Sequence, residues 1–221
     1  MVTVDPGSGS EAVQRRRTWV LGGALLVASA LTRLAAQGPL ASLYRAVDVL
    51  FVAGSLVLVI GLGRAGSVTA RRPLGTGAVI ALALVLLGAP FAWDALLRDA
   101  DGYGSGQLIG ASVLLTMVQA VVTLMLAIIA VVQIGRAGVI PRPWNWAPLW
   151  ALGVVVATRL LAMVPLSPLF PNPADASVAL FVTGLLGVIN TAAIAFLGIV
   201  AIVRGTRTEP GSVAVYSSNA G

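Results

Sequence analysis

The chain has no histidine, no cysteine and no lysine; all fourteen of its basic residues are arginine. Without imidazole or thiolate there is no imidazole-ligated haem, no thiolate metal site and no iron–sulfur cluster. No disulfide can form, and no cysteine is there to carry a lipid. Without lysine there is no Schiff base to a carbonyl compound. Without histidine, a serine nucleophile such as Ser105 in Gly104-Ser105-Gly106 has no imidazole base. A phosphate-binding Gly-Lys loop and a metalloprotease His pair are ruled out on the same grounds. The residues therefore read as those of a non-enzyme with no cofactor. The exclusive use of arginine fits a GC-rich genome, because arginine codons are GC-rich and lysine codons are not, and it points to a bacterial source.

Charge is the next scarcity. Only 10% of the 221 residues are charged and 58% are hydrophobic, against about 25% charged in an ordinary soluble domain. Several apolar runs reach the ~20 residues that cross a hydrocarbon core of ~30 Å. In lipid only helices or a closed barrel satisfy the backbone. The runs are long and do not alternate in polarity, so helices are predicted.

Six such runs follow one another: about 18–36, 41–62, 74–97, 107–134, 144–164 and 176–203. Pro90 predicts a kink near the far end of the third. Polar stretches rich in small residues precede and follow the set. The expected organisation is a disordered cytoplasmic tail over 1–14, a transmembrane domain over 15–204 and a second disordered tail over 205–221. Arg15-Arg16-Arg17 before an apolar run, with Ala28-Ser29-Ala30 after it, also fits a cleaved signal peptide.

An internal match argues against cleavage. Thr32-Arg33-Leu34 through Pro39-Leu40 to Tyr44 aligns with Thr158-Arg159-Leu160 through Pro165-Leu166 to Phe170, with seven of thirteen positions identical. Leu and Ala matches mean little in so apolar a chain, but Thr, Arg and Pro in register do not arise cheaply. The run before Arg33 thus corresponds to the run before Arg159, which is no signal. The fold predicted is an all-α integral membrane protein. It is a six-helix transmembrane bundle of three helical hairpins, with hairpins one and three a parallel internal repeat.

Arginine placement gives orientation. The two tails and the links around Arg64–Arg72 and Arg136–Arg142 hold ten of the fourteen arginines. The opposite side holds Arg33, Arg45, Arg98 and Arg159 together with Asp48, Asp94, Asp99, Asp101 and Asp175. Both termini are expected in the cytoplasm, in a multi-pass protein of the cell membrane. The net charge of +6 is then a matter of topology, and nucleic acid is not an expected partner. Trp19, Trp144, Trp146 and Trp150 are expected at the inner interface, and Trp93, Tyr44 and Tyr103 at the outer one.

Arg33 and Arg159 are the leading binding candidates. An intramembrane charge is costly and marks a functional position by default. The sharp reading is a pair of guanidinium groups lining an outward cavity for an anion or a lipid phosphate, since the planar fork of arginine suits such oxyanions. The bland reading is two snorkelling arginines that pair with Asp48 or Asp94 and hold helices in place. Thr32 and Thr158 are expected to bond to their own helix backbones. Asp99-Ala100-Asp101-Gly102 is like the start of a calcium loop, but the required Glu is missing where Gly110 stands; no metal site is expected. Gln119 and Asn190 are placed to line a solute path, but such residues more often serve as interhelical struts, and that reading is preferred. Glycines such as Gly22, Gly23, Gly54, Gly88, Gly110 and Gly184 permit close packing without saying which of them use it.

Two readings of function follow. The first is a structural or partner-binding component of the bilayer, with another membrane protein or a second copy of the chain as its partner. The alternative is a small transporter or channel for an anionic solute or lipid. A dry interior belongs to the first and a polar path to the second.

Overall fold

The computed structural model describes residues 7–36, 41–61, 73–98, 105–137, 144–163 and 176–207. Every described residue but Gly61 and Arg207 is helical, and no strand occurs among them. The helices are α1 (Gly7–Ala36), α2 (Tyr44–Ile60), α3 (Pro73–Arg98), α4 (Ser105–Ala137), α5 (Ala147–Met163) and α6 (Ala176–Thr206), with 3-10 turns leading into α2 and α5. Five segments are long and apolar enough to cross a membrane, one at each helix but α2. At 17 residues, α2 is about 26 Å long and stands at the lower limit for a span. Exposed leucine, valine, isoleucine and phenylalanine side chains cover the outside of the bundle, as a surface facing lipid requires.

α1 begins at Gly7, two turns before Arg15, on residues whose composition reads as a tail. Once a helix is nucleated, each added residue fixes one pair of dihedrals for one hydrogen bond, against three pairs for the first, so an end can run on through poor helix formers. α3 runs unbroken through Pro90. At the other extreme, α2 stops at Gly61, whose φ of 75° suits glycine and whose N–H bonds back to the Val57 carbonyl. The Asp99–Gly102 loop, the Pro165–Pro173 turn, the Arg64–Arg72 link, the second basic link from residue 138 on, and Tyr103 lie outside the described residues.

Each helix packs on its neighbours in sequence, and α6 closes on α1. Among the described residues no two helices approach backbone to backbone across the middle; side chains meet there at the end that carries the termini, where Ile134 of α4 packs with Trp19 and Ala201. The result is a ring of six helices. α1 is the most buried of the candidate spans and α4 the least.

Glycine makes the ring tight on the two sides of α1. A Cβ on Gly23 would stand 2.5 Å from the Gly198 carbonyl oxygen of α6, and one on Gly22 would stand 2.6 Å from Leu58 of α2. With lipid outside as apolar as the helix, van der Waals contact of this kind is what drives association. Gly88, Gly110 and Gly184 face open space instead. Gly135 near the end of α4 seats the ring of Trp146, which ties the turn before α5 to α4.

Two buried clusters close the end of the ring that carries the termini. In one, Trp19 and Ala201 pack with Leu58 and Ile134; in the other, Val59, Ala78, Val79 and Ala130 pack with Leu56 and Leu126. Trp19 is only 4% exposed, so it is a core residue and not part of an interfacial belt. Trp144, Trp146 and Trp150 are exposed, and so is Tyr44 at the opposite end.

Candidate functional site

Arg33 sits in the last turn of α1, and Arg159 lies four residues before the end of α5. Helix C-termini favour a positive charge there. Asp48 lies four residues into α2. The Ser29 hydroxyl, one turn before Arg33, donates to the Val47 carbonyl across the α1–α2 seam at 2.9 Å. That bond fixes the register of the two helices and sets Asp48 about one turn deeper in the bundle than Arg33.

These three charged groups, on three helices, line one cavity of about 360 Å³, within the ~300–1,000 Å³ of small-molecule sites. All six helices contribute to its wall. The two guanidinium groups and the Asp48 carboxyl share this cavity, yet no salt bridge within 4 Å joins them among the described residues. By formal charge, two arginines and one aspartate come to +1. Two unit charges ~4 Å apart near a protein surface interact with about 4 kcal/mol, so an anion placed between the arginines gains more from the pair than the single carboxylate takes away.

Below the charges the wall is almost wholly apolar, with Leu26, Leu82, Val131, Leu152 and Leu197 from five of the helices. The hydroxyls of Ser55 and Thr123 are the polar exceptions deeper down. Trp19 lines the far end. It stands fourteen residues before Arg33 on α1, about 21 Å away along the helix.

Two buried polar atoms in this wall have no hydrogen-bond partner: Nε of Arg33, a donor, and Oδ1 of Asn190, an acceptor. Asn190 is 7% exposed. The Gly23–Gly198 contact gives its height. Asn190 is eight residues along α6 from that contact and Arg33 is ten along α1, about 12 and 15 Å at the helical rise. The two atoms therefore belong to the same layer of the bundle.

Of the four residues singled out by sequence, the fold brings Arg33, Asp48 and Arg159 to one cavity and leaves out Asp94, which is exposed on α3 and does not line it. Its neighbour Trp93 turns to α4 instead and donates its indole N–H to Gln119 Oε1 at 2.9 Å. Gln119 is thus the interhelical strut that sequence predicts, and Asn190 is not. Thr158 bonds to the Val154 and Val155 carbonyls of its own helix, as expected; no such bond of Thr32 occurs among the described residues. Thr116 and Thr191 also bond within their own helices. Asn190 takes the solute-path reading that sequence left open for it, while sequence reasoning missed Trp19 as part of the wall and placed it in an interfacial belt. Compared with family models, curated proteins and solved structures, the chain matches none at a significant level.

Proposed function

We propose that this chain is a multi-pass protein of the bacterial cytoplasmic membrane that takes an anionic solute or lipid into its central cavity as a small transporter or channel. One observation supports the reading: Arg33, Asp48 and Arg159, spread over three helices, share one cavity within a ring of six. A bundle with only a structural role gains nothing from a hollow interior with charges at its rim, since dispersion contacts across the middle are lost.

The bias of arginine towards the tails and links puts both termini in the cytoplasm and the charged rim outside. The arrangement as three hairpins, with the first and third repeated, accounts for two arginines near the ends of α1 and α5. The chemistry is binding and passage, not catalysis.

The absence of cysteine makes the test direct. Val155→Cys places a thiol in the cavity wall one turn inward of Arg159, and Tyr44→Cys places one on the exposed surface at the same end. Intact cells are treated with a membrane-impermeant thiol reagent. Labelling of both, with labelling at residue 155 lost in Arg159→Gln if the arginine draws in an anionic reagent, supports the cavity as an outward-facing anion path. Labelling at 44 alone means a dry interior, and the chain is then a structural or partner-binding component.

A further inference from the structure

The shape and chemistry of the cavity narrow the ligand. We infer that it is a single-chain amphiphile with a hydroxyl-bearing phosphate headgroup, the headgroup held among Arg33, Arg159 and Asn190 with Asp48 about one turn below Arg33, and the chain running down the apolar shaft to Trp19. This rests on the preceding reading of the cavity as a binding site, and it goes further in naming the class of ligand.

The argument for the chain comes from the shaft. About 21 Å separates the level of Arg33 from that of Trp19, more than the ~15 Å that one leaflet of a ~30 Å core offers an acyl chain. A small inorganic anion between the arginines leaves that apolar length unfilled. Water fills it poorly, because an ordered water needs two to four polar partners and the shaft offers few. A volume of about 360 Å³ is near the lower end of ligand pockets, which suits one chain and not two. Trp19, packed against Ala201, Leu58 and Ile134, closes the shaft and sets a maximum chain length.

The argument for the headgroup comes from the two unpartnered atoms. Arg33 Nε needs an acceptor, and a phosphate oxygen is the acceptor that a guanidinium binds best. Asn190 Oδ1 needs a donor, and a phosphate diester has none. The Asp48 carboxylate in the same wall also accepts and does not donate. A headgroup with phosphate alone leaves Asn190 unsatisfied and sets an anion against Asp48. A hydroxyl beside the phosphate answers both acceptors, and the net charge of the layer still favours an anion over a zwitterion.

The test uses the full chain in detergent and titrations followed by native mass spectrometry. Three probes separate the terms: an alkyl phosphoglycerol; an alkyl phosphocholine of the same chain length, which has no donor; and glycerol 3-phosphate, which has the headgroup without the chain. The alkyl phosphoglycerol is expected to bind at least ten times more tightly than either of the others. Its affinity should rise roughly fourfold per added methylene and stop rising once the chain spans the shaft. Asn190→Leu should weaken phosphoglycerol binding about tenfold, the value of one hydrogen bond, and remove its advantage over phosphocholine. Arg45→Gln, which takes one charge from the same end outside the cavity wall, should change nothing. If glycerol 3-phosphate binds as tightly as the alkyl compound, the shaft is not used and the inference fails while the anion cavity stands. If the two alkyl compounds bind equally well to the unaltered chain, Asn190 does not read the headgroup and that part is overturned without any variant. If no probe binds and the thiol in the cavity also stays unlabelled, the cavity reading falls with it.

Discussion

Replacing Gly23 with alanine tests the ring where it is tightest. The new Cβ would stand 2.5 Å from the Gly198 carbonyl oxygen, 2.8 Å from Ile202 Cγ1 and 3.1 Å from Ala201 Cβ. The isoleucine can turn away, but the carbonyl is helix backbone and cannot. Comfortable carbon–oxygen contact is about 3.3–3.6 Å, so α1 and α6 must part by roughly 1 Å along the seam. Overpacking of this kind costs about 1–3 kcal/mol. Alanine returns up to about 1 kcal/mol through helix propensity, so the net loss is about 1–2 kcal/mol. Thermal unfolding in detergent should show a midpoint lower by roughly 2–8 °C for a chain of this size. Gly184→Ala is the matched control: nothing lies within 4 Å of its Cβ, and it should be neutral or stabilising by up to about 1 kcal/mol. Gly198→Ala should resemble Gly23→Ala, since its Cβ meets the Gly23 carbonyl at 2.7 Å. The double variant should lose less than the sum, because one separation of the helices relieves both clashes. Equal midpoints for Gly23→Ala and Gly184→Ala would refute the seam and, with it, the register that places Asn190 level with Arg33.

Two further substitutions separate the wall of the cavity from its supports. Gln119→Leu removes the acceptor of the Trp93 indole on helices away from the charged layer; a loss of about 0.6 kcal/mol in detergent unfolding, with ligand binding unchanged, is the expected result. Trp19→Ala removes the closed end of the shaft. It should destabilise by about 3–5 kcal/mol and, in vesicles holding whatever folded protein remains, raise the leak of small anions; a stable, tight variant would mean that the shaft is closed elsewhere.

Much of the site is legible in the sequence because charge is rare there. Arg33 and Arg159 stand out as arginines inside apolar runs, and the Thr-Arg-Leu match puts them at similar depths. Asp48 and Asp94 cannot be told apart on that basis: each is a lone acid near the same end of a run. The fold chooses Asp48 because the Ser29–Val47 bond turns that part of α2 to the interior, while Trp93 takes the place facing α4. Gln119 and Asn190 are likewise equal as residues. One meets an indole N–H and the other meets the cavity.

Composition and apolar run lengths already point to the medium and count the helices. Scarce charge and long apolar runs leave lipid as the medium, and in lipid the backbone has to be helical. Which face of each helix points inward is settled by packing, not by pattern. In water an amphipathic stripe answers that question, because the core side must be apolar and the outer side polar. Here both sides are apolar, so the rotation of each helix is set by where glycine allows two backbones to meet. Gly22, Gly23, Gly54 and Gly198 are such places, and Gly88, Gly110 and Gly184 are not, although as letters in the chain they are the same.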